Sequence, residues 1–248
     1  MIQGYIDELS VSHRAKTACE ILEIATLAAN FKFDTPAPTL DSGPNVVTTT
    51  TASTTFIAAG HRNDAISFAG TSSSYFQASG FTAFGIDDQP FSISLWVQPQ
   101  LLTGTLVHLS STATGTGSHC FPLLGFDSSG ALVAQVMTAV GSVVSVTGPI
   151  LSVSTSTWVH VVQTWSSSNG LKLYVNNTMV SSAAAGSFVT SGTTPNYLTL
   201  GDCLSGCSGS CTNGGISTAG PHQGNVDEWR IYIRELSVAD VCTLSYYS

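Results

Sequence analysis

Three adjacent acidic pairs, Asp7–Glu8, Asp87–Asp88 and Asp227–Glu228, are the residues best suited by type to acid–base work. Glycoside hydrolysis needs two carboxyls roughly 5–10 Å apart, flanking the scissile bond. Neighbours on a strand point to opposite faces, and Asp87–Asp88 precedes a strand in a turn. None of the pairs is set for that chemistry, so the expectation is a protein that is not an enzyme. Cys203, Cys207 and Cys211 are evenly spaced, with His222 beyond them. Structural zinc sites use comparable spacings but need a second ligand pair. Here the segment is a Gly/Ser-rich loop without one, and disulfides explain it more simply. The expected bridges are Cys120 to the 203–211 loop, a second bridge within that loop, and Cys19 with Cys242, within a chain or between chains. Asn176-Asn177-Thr178 is an acceptor sequence for N-glycosylation at Asn176. Trp96, Trp158, Trp165 and Trp229 offer stacking platforms for sugars, but all sit in strand patterns and are expected mostly in the core. His13, His61, His108, His119, His160 and His222 show no nucleophile or metal spacing and are read as structural.

The elements that must position these residues are mostly short strands. Phe91, Ile93, Leu95 and Val97 alternate with Ser92, Ser94 and Trp96, which puts the four on one face of a strand. Residues 158–165 are nearly all apolar and should form a central strand. Further strands are expected at 65–69, 75–78, 106–109, 122–126, 132–137, 171–175, 197–200 and 226–233. Asn176-Asn177 suits a tight turn, because Asn tolerates positive φ. Thr17 and Glu20 form a capping box ahead of apolar residues at helical spacing, which predicts a helix over 18–28. A second short helix is expected from Ser237. Residues 35–60, rich in Pro, Gly and Thr, read as loop and edge with room for O-glycosylation. The fold class is therefore all-β: a two-sheet antiparallel β-sandwich, or jelly roll, with short terminal helices.

Gly4–Ile21 and Gly224–Val241 carry related sequences, offset by 220 residues (224 − 4 = 220). Gly4, Asp7, Glu8 and Arg14 match Gly224, Asp227, Glu228 and Arg234. Residues 1–29 thus read as the terminal strand and helix of a preceding repeat, and 30–248 as one complete domain. A strand and helix without a body expose backbone edges and an apolar face, which seek a partner. Gly4, Tyr5, Ile6, Asp7, Leu9, Ile21 and Leu22 form the expected assembly segment. Its partner would be another copy or a neighbouring repeat.

Only 9% of residues are charged, against about 25% in ordinary soluble domains. The surface must be rich in Ser, Thr, Gly and Asn, and six cysteines add to an extracellular expectation. A net charge of −8 argues against nucleic acid, whose binding needs clustered Lys and Arg. No apolar run is long enough to span a membrane. Met1 leads straight into strand-like residues 2–9 without a leader pattern, so Met1 is expected to be incidental or to lie within a longer repeat protein.

Five stretches in order, AISFAG (65–70), FSISLWVQP (91–99), TWVHVVQTW (157–165), LKLYVNN (171–177) and NVDEWRIYIRELS (225–237), resemble the laminin-G-like, concanavalin A-type jelly roll. The resemblance covers about residues 30–242. It implies an extracellular module, often in tandem, that binds sugars or proteins, and it implies calcium. Asp34, Asp41 and Asn45 resemble the family's N-terminal acidic loop, and Asp227 stands where relatives supply another oxygen. Catalytic members show alternating acidic residues along one strand, which this chain lacks. The leading expectation is a structural or adhesive unit of an array or fibre, joined by strand completion and disulfides. The alternative is a calcium-dependent carbohydrate-binding module, and a glycosidase comes last.

Overall fold

A computed structural model describes residues 11–190, 192 and 196–247. The strand part of the assembly segment, Gly4, Tyr5, Ile6, Asp7 and Leu9, lies outside the described residues. Two antiparallel sheets of eight and seven strands pack face to face, with two short helices near the ends of the chain. The first sheet contains β1 (Leu27–Phe31), β3 (Thr54–Ile57), β4 (Ala65–Ala69), β6 (Phe91–Pro99), β11 (Val159–Ser166), β12 (Gly170–Val175), β13 (Thr178–Ala183) and β15 (Gln223–Tyr232). The second contains β2 (Thr48–Ala52), β5 (Tyr75–Ser79), β7 (Thr105–Ser110), β8 (Cys120–Phe126), β9 (Ala131–Ala139), β10 (Ser142–Ile150) and β14 (Tyr197–Leu200).

The alternation read from the sequence sets the packing. Phe91, Ile93, Leu95 and Val97 of β6 face the core between the sheets, beside Val161 and Trp165 of β11. Phe31, Phe33, Phe76 and Trp229 form one aromatic cluster, with Phe31 stacked on Trp229 at 5.2 Å. Burying each such ring contributes about 1.5–3 kcal/mol. Gln163 breaks the apolar rule on β11. Its Nε2 donates to the Gln135 carbonyl of the other sheet at 2.9 Å, so a buried amide ties the two layers. Asn176 and Asn177 take φ of 46° and 67°, closing the β12–β13 hairpin as a tight turn of the kind two left-handed residues allow.

β15 is the organising strand. It pairs with β6 on one side; on the other its first half pairs with β4 and its second half with β1. A bulge lies at the change of neighbour, between Asp227 and Arg230, with Glu228 at φ 49°.

The N-terminal helix α1 (Ala18–Thr26) has the expected capping box, with both Thr17 and Glu20 bonds made. It ends two residues before the expected boundary, because Leu27 and Ala28 join β1 against β15. No residue of α1 is buried, and Ile21 and Leu22 are exposed. The C-terminal helix α2 (Val238–Tyr247) instead packs on the outer face of the first sheet. Val241 and Leu244 meet Val162, Tyr174, Tyr232 and Leu236 there. No helix among the described residues is long and apolar enough to cross a membrane.

Candidate glycan-binding cleft and the acidic rim

Cys120 is bonded to Cys211, and Cys203 to Cys207. Within one chain Cys19 and Cys242 are not bonded to each other: both are free thiols. Cys19 aligns with Ala239 and Cys242 with Leu22, so the two thiols occupy different turns of their helices. Asp202 lies with Cys203 and Cys207 in the one compact His/Cys/Asp/Glu group found among the described residues. Both its sulfurs are consumed by the disulfide. Burial pushes the Asp202 carboxyl up to about 6.

The Cys120–Cys211 bridge staples residues 201–222 over the outer face of the seven-stranded sheet, and Cys203–Cys207 closes a turn within that segment. Gln135 donates to the Pro122 and Asn213 carbonyls and accepts from the Gly215 N–H. Thr218 donates to the Phe126 carbonyl, and Ile216 is fully buried. The fit leaves no room at Gly206, where a Cβ would lie 2.4 Å from the Gly115 carbonyl oxygen and 2.7 Å from Cys211 Sγ. This face is closed by the chain itself.

The outer face of the eight-stranded sheet carries a polar row. Ser94 and His160 Nε2 are 2.9 Å apart, and His61 stacks on Trp96 at 3.5 Å. Asp227 is opposite Trp96. The expectation that Asp227 and Glu228 point to opposite faces is corrected by the bulge. Arg230 is on the outer face, between the core residues Trp229 and Ile231, and Glu228 reaches it at 2.6 Å. Burial pushes the Asp227 carboxyl up to about 7, helped by the charges of Glu228 and Asp34. Both carboxyls are nonetheless buried, at 0% and 4% exposure, so a sugar ring does not reach them.

The four residues expected to hold calcium separate into two groups. Asp34 accepts from the Asp64 N–H and the Asn63 amide, and Asp227 from the N–H groups of Arg62 and Glu228. Asp41 accepts from the N–H groups of Asn30, Gly43 and Val47. Asn45 turns its Nδ2 onto the Leu27 and Ala28 carbonyls, pinning the loop that follows β1. Calcium takes about six to eight converging oxygens, whereas these carboxylates already face N–H donors. The donor set does not fit the ion. We therefore expect millimolar calcium to leave the melting temperature within about 1 °C of its metal-free value. Differential scanning calorimetry with chelator and with calcium checks this.

Of the four tryptophans, Trp96, Trp165 and Trp229 are buried and Trp158 is half-buried. Asn176 is exposed at the hairpin tip, with its Oδ1 accepting from the His160 N–H. One open concavity with sugar-compatible groups is at the rim, where the two sheets meet; a larger one, of about 600 Å³ and lined by charged side chains, lies between α1 and α2. The rim cleft, of about 450 Å³, is lined by Asn45, Thr48, Ser79, Thr82, Phe81 and Ile233 among others. It combines hydroxyls, an amide and a buried aromatic floor, and it holds no ionisable side chain. Of this cleft the sequence reading had only Asn45. The rest comes from four chain segments and leaves no local motif.

A family model described as the concanavalin A-like lectin/glucanases superfamily matches residues 68–242. The chain belongs to this superfamily. Solved structures share the sandwich of this superfamily member at low identity. Domain 4 of AbnA, an extracellular arabinanase from Geobacillus stearothermophilus solved in complex with arabinotriose, is 20% identical. The match has a TM-score of 0.53 and covers 88% of this chain and 98% of that one. The receptor-binding domain of botulinum neurotoxin C/D mosaic serotype is 12% identical with a TM-score of 0.62, covering 90% and 51%. The binding domain of Paraclostridial Mosquitocidal Protein 1 is 14% identical with a TM-score of 0.60, covering 90% and 52%. This lectin-like chain thus spans about half of the toxin binding domains it matches. No curated protein matches it in sequence.

Proposed function

We propose that this domain is an extracellular glycan-binding module that recognises sugar through the rim cleft and does not turn it over. The observation that carries the reading is the cleft: an open, uncharged hollow of about 450 Å³ edged by Asn45, Thr48, Ser79 and Thr82. Its size is that of a small-ligand site, and its groups pair with sugar hydroxyls without a metal. The superfamily supports this reading. So do the complex of the arabinanase domain with arabinotriose and the similarity to botulinum neurotoxin type C, whose cell entry is dependent upon interaction with two ganglioside molecules. The disulfides support an oxidising compartment.

The test is an array carrying arabino-oligosaccharides and ganglioside glycans, followed by calorimetric titration of the best hit. Thr82→Arg drives a long side chain into the cleft from an exposed position. We expect it to weaken binding about tenfold or more, a cost of about 1.4 kcal/mol or more, with the melting temperature unchanged. Undiminished binding by this variant would move the site elsewhere, and binding to no glycan would remove the reading.

A further inference from the structure

The sequence match between the two ends of the chain extends to geometry. In α2 the Ser237 hydroxyl accepts from the Asp240 N–H, while the Asp240 carboxylate accepts from the Ser237 N–H and pairs with Arg234. In α1 the Thr17 hydroxyl accepts from the Glu20 N–H, while the Glu20 carboxylate accepts from the Thr17 N–H and pairs with Arg14. Every residue of one set is 220 positions from its counterpart (234 − 14, 237 − 17, 240 − 20). The same offset relates Gln3 to Gln223.

What differs is the seat. In the C-terminal copy, Tyr232, Leu236, Val241 and Leu244 close around Val162 and Tyr174 of the sheet's outer face, and all are buried. Subtracting 220 from those four gives Ser12, Lys16, Ile21 and Ile24. These residues, with Ala25, line an open hollow of about 300 Å³, and Ile21 and Ile24 are 56% and 42% exposed. The positions that form a filled cluster in one copy form its empty mould in the other. Meanwhile the opposite side of α1 is fixed to its own sandwich. Glu23 accepts from the Tyr232 hydroxyl at 2.7 Å, and Thr26 Oγ1 accepts from Arg234 at 2.9 Å.

We propose that α1 and the residues leading into it, 12–26, are the closing segment of a second sandwich of this same type, and that α1 joins that sandwich to the one described here. The partner is a copy of the body whose seat for a closing segment is open. Its outer sheet face would bring the groups that Val162 and Tyr174 supply to α2. Ser12 and Lys16 are smaller or more polar than Tyr232 and Leu236, so the partner's seat must fill the hollow with more apolar bulk of its own. Because α1 runs into β1 without an intervening residue, the two sandwiches would be held at a fixed angle.

The experiment uses two proteins: the chain as it stands, and a tandem in which residues 27–222 are joined directly to residues 3–248. In the tandem, segment 3–26 follows the upstream body where 223–246 follows the native one. Hydrogen exchange in the native chain should show α1 amides exchanging about 100-fold or more faster than those of α2. In the tandem, exchange at residues 21–25 should slow by about the same factor, and the upstream body should resist proteolysis. Ile21→Asp with Ile24→Asp should abolish the upstream protection and leave the downstream sandwich, an internal control, intact. An upstream body that stays protease-sensitive beside a folded downstream one would overturn the proposal. So would α1 amides already as protected as α2's in the native chain. Neither readout involves sugar, so its failure is distinct from failure of the glycan reading.

Discussion

Replacing Cys120 and Cys211 together by alanine should lower the stability of the domain by about 4–5 kcal/mol. The bridge closes a sequence separation of 91 residues. On the chain-entropy account, freeing a loop of that length returns about that much entropy to the unfolded state. A domain of ordinary stability has only about 5–15 kcal/mol in total, so the melting temperature should fall by roughly 10 °C or more. The second bridge, Cys203–Cys207, spans only 4 residues, and its removal should cost about half as much. A local effect should accompany the global one. Without the Cys120 anchor, residues 201–222 should lift from the seven-stranded sheet, exposing Gln135 and becoming susceptible to proteases. Chemical denaturation of both double variants, with cleavage mapping, measures this. Equal stability for both would show that the loop is held by Ile216 and the Gln135 bonds alone.

The second large effect is acid lability above the usual carboxylate range. Burial depresses His108, His119 and His222 to about 4 and His160 to about 3. The bonding gives the reason. His108 Nε2 meets the Gly115 carbonyl, His222 Nδ1 meets the Thr103 carbonyl, and the other ring nitrogen of each is buried without an acceptor. A second proton would have nowhere to bond. Between pH 6.5 and about 4 the unfolded chain therefore binds these protons and the folded one does not. Stability falls as pH falls. Asp227 and Asp202 act oppositely. Their folded values of about 7 and 6 lie above the ordinary aspartate range, so they favour the fold at low pH and lose that contribution as pH rises. Four histidines outweigh two carboxyls. The net expected loss between pH 6 and pH 4 is on the order of 4 kcal/mol. Calorimetry from pH 4 to pH 8 should show the melting temperature climbing to about pH 7 and then flattening. A flat profile across that range would mean that the buried rings find acceptors on protonation.

The sequence made the core strands legible, and the reason is physical. β6, β11 and β15 bury one face or both, so burial writes itself as alternation or as an apolar run. The edges left weaker marks. Residues 35–60 read as loop and edge without separate strands, and within them Thr48–Ala52 and Thr54–Ile57 form β2 and β3 at the outer margins of the two sheets. β-branched Thr suits a pleated strand, and an edge strand with solvent beside it needs little apolar content. β10 and β13 escaped for the same reason. The bulge on β15 was invisible because Glu228, which takes the positive φ, is not the glycine that usually announces one. That single residue turned two carboxyls expected on opposite faces onto one. The resemblance implied calcium at Asp34, Asp41, Asn45 and Asp227. The Asp41 oxygens accept from backbone N–H groups and Asn45 donates to carbonyls, a distinction that depends on geometry rather than residue type.

One pairing has a mechanical consequence. Leu27, the first residue of β1, is opposite Tyr232, the last residue of β15. The polypeptide enters and leaves the sandwich at the same end, on adjacent antiparallel strands. Tension applied through the two ends would open the β1–β15 ladder one hydrogen bond at a time, as a zipper opens, and would not load all of its bonds together in shear. In any string of such units the sandwiches would hang beside the line of pull, presenting their rims outward, and the first yielding step would peel β1 from β15 while the stapled far sheet remained whole.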